Sequence, residues 1–297
     1  MDDLDESIQS HRQAIQRTPE DHPEFAGRLC KIVEALRLRY RRTREIEDLQ
    51  ESIQIQRRVV QLTPKDHPDF AAKLNDLGGM LLLRVEGTRK SEGLEESIQI
   101  CRQVVQLTPK DHPDHSPRLD NLAVAYQVLY ERTRKTDDLK QAIQILRQSA
   151  QLTPKDHPDF EGRLNNLANV LGQLCRRTQQ TDDIDEAIDN SRQALKGISE
   201  THPEFARWLD GLQQLFQLRY KQTGDIDNLE EAIRLARQAV QSTPKDDPDL
   251  EILQSNLEDV LQLEYKRTAG SRPFHPSETR IHVIGEPQDI QGRFFQR

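Results

Sequence analysis

The chain repeats itself every 45 residues, and this period limits its fold more than any single motif does. His-Pro stands at His22-Pro23, His67-Pro68, His112-Pro113, His157-Pro158 and His202-Pro203. The sixth copy reads Asp247-Pro248 in the same register. Around it runs a longer phrase, Leu62-Thr63-Pro64-Lys65-Asp66-His67-Pro68-Asp69, with near copies at 107–114 and 152–159. Self-similarity at such a period marks a stack of identical supersecondary units. Each unit touches its neighbours only, so the stack grows in one dimension and offers a long surface. What that surface binds is therefore the first functional question, ahead of any reaction.

The composition agrees. Of 297 residues, 34% are hydrophobic and 31% charged, which is lean for a globular domain but suits thin layers with two wet faces. Disorder is the rival reading of so polar a chain; the regular spacing of Leu and Ile argues against it. A formal net charge of -8 disfavours a nucleic-acid partner. No apolar run approaches the roughly 18 residues of a membrane span. The start, Met1-Asp2-Asp3-Leu4, lacks the basic flank and apolar core of a signal peptide. Cys30, Cys101 and Cys175 form no C-x-x-C pair and fit a reducing, cytoplasmic setting.

Each unit holds two amphipathic segments. In 69–88 the apolar positions Phe70, Leu74, Leu77, Leu81 and Val85 recur at steps of three and four, a helical stripe termed helix A. Pro68 is expected in its first turn, where a missing N–H costs nothing. An acid follows in every copy (Glu24, Asp69, Asp114, Asp159, Glu204, Asp249), at the positive end of the helix dipole. Helix B is exemplified by 137–152, with Leu139, Ala142, Ile143, Leu146 and Ala150 as its stripe. Its isoleucine is invariant across units (Ile8, Ile53, Ile98, Ile143, Ile188, Ile233) and always follows Ser or Ala, a pairing that lets helices approach closely. Pro64, Pro109, Pro154 and Pro244 stop helix B. Residues 2–17 form a lone helix B, and six helices A with five more helices B follow, twelve in all. The last, about 249–267, carries Gln254 and Glu258 where earlier copies have Leu and mostly a small residue, as an end cap would.

Other recurrent residues have structural readings. Histidines one layer apart form a line along an edge, and zinc needs ligands converging within about 2 Å; a helix-start role is expected instead. Arg12, Arg57, Arg102, Arg147, Arg192 and Arg237 recur in helix B. They could form a guanidinium ladder for an acidic peptide, but lying on the Ile side they are expected in ion pairs or over the core edge. Thr43, Thr88, Thr133, Thr178, Thr223 and Thr268 should satisfy backbone groups at the A–B turn.

The pattern resembles the tetratricopeptide repeat. In that family a Leu-small pair lies in helix A, a small residue early in helix B, and a proline after it. Here Leu122-Ala123, Ala142 and Pro154 match, as do Leu167-Ala168 with Ala187, and Leu77-Gly78 with Ser97 and Pro109. The resemblance covers about 1–268 and departs in length, since the family's usual unit has 34 residues. It implies an all-α solenoid: a right-handed superhelix of antiparallel helix pairs whose helix A lines a concave groove for an extended peptide or partner domain. The candidate groove residues are Asn121, Asn166, Asn169, Gln173, Asp76 and Gln214, whose amides and carboxylate suit a peptide backbone. The family's carboxylate clamp is not expected, because the helix A starts carry Gly27, Ala72, Pro117, Gly162 and Arg207. The expanded Thr-Pro-Lys-Asp-His-Pro type also resembles arrays that accompany a CHAT protease or nucleotide-binding module, which implies an alternative role as the sensor part of a signalling effector. No such module stands in this chain. No G-x-x-x-x-G-K, H-E-x-x-H or G-x-S-x-G motif occurs, so the expectation is a scaffold without enzymatic activity, cofactor or metal, whose partner is a protein or peptide. Oligomeric state is left open. Residues 269–297 break the period with Gly270, Pro273, Pro276, Gly285, Pro287 and Gly292. They are expected to be an irregular or disordered tail, or the start of a further domain, with one short strand at most near Arg280 to Ile284.

Overall fold

The structure is a computed structural model that describes residues 2–88, 90–179 and 183–269. The suggested strand near Arg280 lies outside the described residues. These residues form twelve α-helices and no strand: α1 (Asp2–Gln16), α2 (Phe25–Thr43), α3 (Ile46–Leu62), α4 (Phe70–Thr88), α5 (Leu94–Leu107), α6 (His115–Thr133), α7 (Thr136–Leu152), α8 (Phe160–Thr178), α9 (Ile184–Gly197), α10 (Phe205–Thr223), α11 (Ile226–Gln241) and α12 (Leu250–Ala269). Even-numbered helices are helix A and odd-numbered ones helix B.

The links explain where each helix begins. Thr63, Thr108 and Thr153 are extended, the conformation a following proline imposes, so helix B ends there. The chain then turns twice: His67 N–H donates to Pro64 O at 3.0 Å, and Phe70 N–H to His67 O at 2.9 Å. Pro68 thus occupies the second position of a β-turn that leads into α4, and not the first helical turn as the sequence suggested. Its fixed φ suits that turn position equally well. The acid that follows is the N-cap residue, yet in α2, α6, α8 and α10 its side chain caps no backbone N–H. In three units it reaches an arginine four residues on: Glu24–Arg28 at 2.9 Å, Asp114–Arg118 at 3.1 Å and Asp159–Arg163 at 3.3 Å.

The five link histidines do the capping. In each, Nδ1 accepts the backbone N–H two residues on, at 3.1 Å. In the sixth copy Asp247 Oδ1 accepts Asp249 N–H at 2.8 Å. One task, an acceptor two residues before the free N–H, accounts for both residue types.

The A–B turn is held by its threonine. Thr43, Thr88, Thr178, Thr223 and Thr268 donate Oγ–H to the carbonyl four residues back, at 2.7–3.1 Å. At Thr43, Thr88, Thr133 and Thr223 the hydroxyl oxygen also accepts the N–H two residues on. Arg44, Arg134, Gln179 and Gly224 take a left-handed conformation at the end of helix A. Each donates its N–H to the carbonyl four back, closing free acceptors as such caps do.

The core lies between the helices of each pair and between successive pairs. The six invariant isoleucines are 1–7% exposed, and the residue before each is fully buried from the second copy on. Ser97 Oγ–H donates to Gly78 O at 2.9 Å. Only a close helix crossing allows this bond, and a Cβ on Gly78 would stand 3.0 Å from Ile100. Each helix packs on its chain neighbours. Across layers helix A meets helix A (α4 with α6, α8 with α10, α10 with α12). Helices B are spanned by long Arg–Glu side chains, as described below, so the stack closes toward its helix A side. In α12 Gln254 and Glu258 are exposed, while Leu253, Leu257, Val260 and Leu261 are buried.

Candidate functional site

Along the helix A face away from the leucine stripe runs a row with one residue per layer: Lys31, Asp76, Asn121, Asn166, Gly211 and Asn256. Helix A elements approach each other here, so side chains reach across layers. Asn121 Nδ2 donates to Asn75 Oδ1 at 3.1 Å, and Asn256 Nδ2 to Asp210 Oδ1 at 2.9 Å, both 46 residues apart. Gln214 Nε2 donates to the other Asp210 oxygen at 2.8 Å. Asp76 lies 3.6 Å from Arg37.

Of the candidates, Asn121, Asn166 and Asn169 are exposed, and Asp76, Gln173 and Gln214 half-buried. They do not form one cluster. Asn121 is tied to layer two, Gln214 to Asp210, and Asp76 to Arg37. Asn166 and Asn169 carry no side-chain bond among the described residues, so both donors and acceptors of adjacent amides stay open in the middle of the array. Gln173 lies further along α8, beside Tyr130, Arg134 and Arg176.

Two carboxylates on this face are partly desolvated. Burial pushes Asp76 above the ordinary aspartate range, against the opposing pull of Arg37 and Lys73. Burial likewise raises Asp210, opposed by its bonds from Asn256 and Gln214. Each would gain from an additional donor or cation.

Sequence reasoning missed the charged groups beneath this face. The Arg163 side chain is 4% exposed, with Nε donating to Asp120 Oδ2 at 3.0 Å and Nη2 to Asp159 at 3.3 Å. Ser149 Oγ–H donates to the other Asp120 oxygen at 2.6 Å. The signal was present, since a basic residue recurs in this register as Arg28, Lys73, Arg118 and Arg163. Arg39 is held between Asp5 and Asp48, both at 2.5 Å, and these bonds raise its pKa.

Five of the six helix B arginines are occupied within the array. Arg12, Arg57 and Arg147 pair with Glu51, Glu96 and Glu186, each 39 residues on in the next helix B, at 2.5–2.7 Å. For Arg102 the equivalent position is Gln141; its guanidinium lies 5.4 Å over the Tyr126 ring and donates to the hydroxyl. Arg192 lies 4.9 Å over Phe216, while Glu231 is held by Arg234 at 2.8 Å. Where the register of Tyr126 and Phe216 holds leucine (Leu36, Leu81, Leu171), the arginine takes the glutamate. This row ties layers together, as the structural reading anticipated. Among the described residues no three His, Cys, Asp or Glu side chains gather where a metal could sit, and no helix is long and apolar enough to cross a membrane.

Residues 26–69 and 118–159 match the family model of the tetratricopeptide repeat. The fold is a tetratricopeptide-like solenoid. Solved structures agree on this architecture. A Podosopora anserina protein of nearly identical TPR-like repeats is 19% identical, with a TM-score of 0.51 over 72% of this chain and 96% of its own. BtubC from P. vanneervenii is 13% identical, with a TM-score of 0.52 over 83% and 92%. The MamA protein, also 13% identical, scores 0.50 over 76% and 100%. At such identities the likeness is one of fold. No curated protein matches the sequence.

Proposed function

We propose that this chain is a non-enzymatic interaction scaffold whose helix A face binds an extended peptide or a partner domain. Tetratricopeptide proteins generally mediate protein–protein interaction, and the two matched segments support that class here. The observation that carries the groove reading is the pair of open amides, Asn166 and Asn169, exposed on α8 in the middle of the array. One asparagine offers a donor and an acceptor together, which is what one residue of an extended peptide backbone needs. Asp76 and Asp210, held above their usual range by burial, would favour a partner bearing donors or positive charge. The net charge of -8 points the same way, toward basic protein and away from nucleic acid. Three thiols without disulfides suit a reducing cytoplasm.

Peptides selected from a random display library against the full chain test the reading. Hydrogen exchange in the presence of a selected peptide should slow in the α6, α8 and α10 backbones. Slowing confined to the helices B would place the binding surface on the other side of the stack and refute the groove.

A further inference from the structure

The fifth unit departs from the repeat at three positions that meet in space. In the first four units a link threonine (Thr18, Thr63, Thr108, Thr153) shares its unit with a basic residue at the start of helix A (Arg28, Lys73, Arg118, Arg163). Arg28 Nη1 donates to Thr18 Oγ1 at 2.7 Å, and Arg118 donates to Thr108. In the fifth unit these two registers hold Ile198 and Trp208. The residue before Ile198 is Gly197, where units two to four carry leucine. Any Cβ on Gly197 would collide with the Glu161 side chain, so the glycine makes room for that carboxylate.

Ile198, Trp208 and Glu161 line one cavity of about 350 Å³ together with Asp120, Asp159 and Arg163. Asn166 lines it as well, so the cavity adjoins the open amides of the groove. The His202 ring lies 5.8 Å from the indole and tilts 40° to it. Its Nδ1 accepts the Glu204 N–H at 3.1 Å. Nε and Nη2 of Arg163 are bound to Asp120 and Asp159, while Glu161 has no cationic partner among the described residues. Three carboxylates against one guanidinium leave the walls net negative. Arg163 Nη1 is buried and has no acceptor, an unmet donor at the inner wall.

We propose that this cavity is the specificity pocket of the groove and takes the lysine or arginine side chain of a basic partner peptide. The proposal rests on the groove reading above. A cation entering beside Asn166 would lie against the Trp208 indole, the strongest cation–π partner among side chains. Its head would meet Glu161, the carboxylate that lacks a partner. Loss of the Arg–Thr pair and gain of glycine before the isoleucine each serve this one result, an aromatic wall with a free carboxylate opposite. An anionic ligand is disfavoured by the same carboxylates, and a purely apolar one would leave them uncompensated.

Trp208 is the single tryptophan of the chain and reports its own pocket. The full chain is titrated with acetyl-Gly-Ser-Arg-Ser-Gly-amide and with the same peptide carrying citrulline, which keeps the shape and removes the charge. The arginine peptide should change the Trp208 emission saturably and bind at least about tenfold more tightly than the citrulline peptide. Glu161→Gln, at a half-exposed position that should not disturb folding, should weaken the arginine peptide at least about threefold and leave the citrulline peptide unchanged. Equal binding of the two peptides, or indifference to Glu161→Gln in a variant of unchanged helix content, would overturn the pocket. Library-selected peptides that depend on Asn166 and Asn169 but need no basic residue would overturn the pocket and leave the groove reading standing. Absence of any peptide binding would overturn both.

Discussion

Replacing Ile143 with alanine and, separately, His112 with alanine separates core from link. Ile143 is 3% exposed and packs in the cluster that runs from α4 to α12. Its neighbours Leu139, Ala142 and Leu146 sit on the same rigid helix and cannot collapse into the space. Ile→Ala at such a site costs about 2–5 kcal/mol, and limited relaxation puts the expected loss in the upper half of that range. His112 is exposed, and its contribution is one bond, the Asp114 N–H donated to its Nδ1 at 3.1 Å. Loss of a comparable helix cap costs about 1 kcal/mol. With a urea slope of about 3 kcal/mol per molar, the midpoint should fall by about 1 M or more for Ile143→Ala and by about 0.3 M for His112→Ala. Circular dichroism of the full chain in urea measures both. His112→Asp should recover most of the smaller loss, because Asp247 already does this work in the sixth copy. Equal shifts for the two alanine variants would refute the assignment of core and link. Failure of aspartate to rescue would refute the capping role.

Other consequences can be checked the same way. Gly224 has φ +71° with nothing within 4 Å of an added Cβ, so Gly224→Ala should destabilise by about 1 kcal/mol from backbone strain alone, seen as a lower urea midpoint. Arg147→Met, which breaks the Glu186 pair but keeps the stem, should cost less than about 1 kcal/mol, and high salt should erase the difference. Burial raises the Cys101 thiol from 9.0 to about 11. Its stabilising contribution is therefore complete below pH 9.0 and is lost as pH rises toward about 11. In the native protein, mass spectrometry after alkylation at neutral pH should find half-buried Cys30 labelled well before Cys101.

Much of the architecture was legible because repetition multiplies weak signals. One isoleucine after a Ser or Ala says little; six in register mark a helix crossing, and the Ser97–Gly78 bond shows how close it is. The link histidines were expected at the helix start without a stated task; the geometry supplies it, since each, like Asp247 in the sixth copy, accepts the backbone N–H two residues on. The placement of Pro68 was missed because a proline at the second position of a turn and one at the first position of a helix look alike in sequence. The candidate site was less legible. Which amides stay open depends on contacts between layers 46 residues apart, which tie Asn121 to Asn75 and Asn256 to Asp210 but leave Asn166 and Asn169 untied. Helical periodicity carries no information on that offset. The alternation of the Arg row between glutamate and aromatic partners follows from two registers read together, Gln141 with Tyr126 for instance, and single-position counting does not find it. The departure of the fifth unit is visible as Gly197, Ile198 and Trp208, but only the fold brings these beside Glu161.

The most direct test of the account is titration of a library-selected peptide against the wild-type chain and the double variant Asn166→Ala with Asn169→Ala. Each lost neutral hydrogen bond is worth about 0.5–1.5 kcal/mol, so the double variant should bind roughly tenfold more weakly with its urea midpoint nearly unchanged. Unchanged affinity in a folded double variant would contradict the central claim that the helix A face of this array is its binding surface.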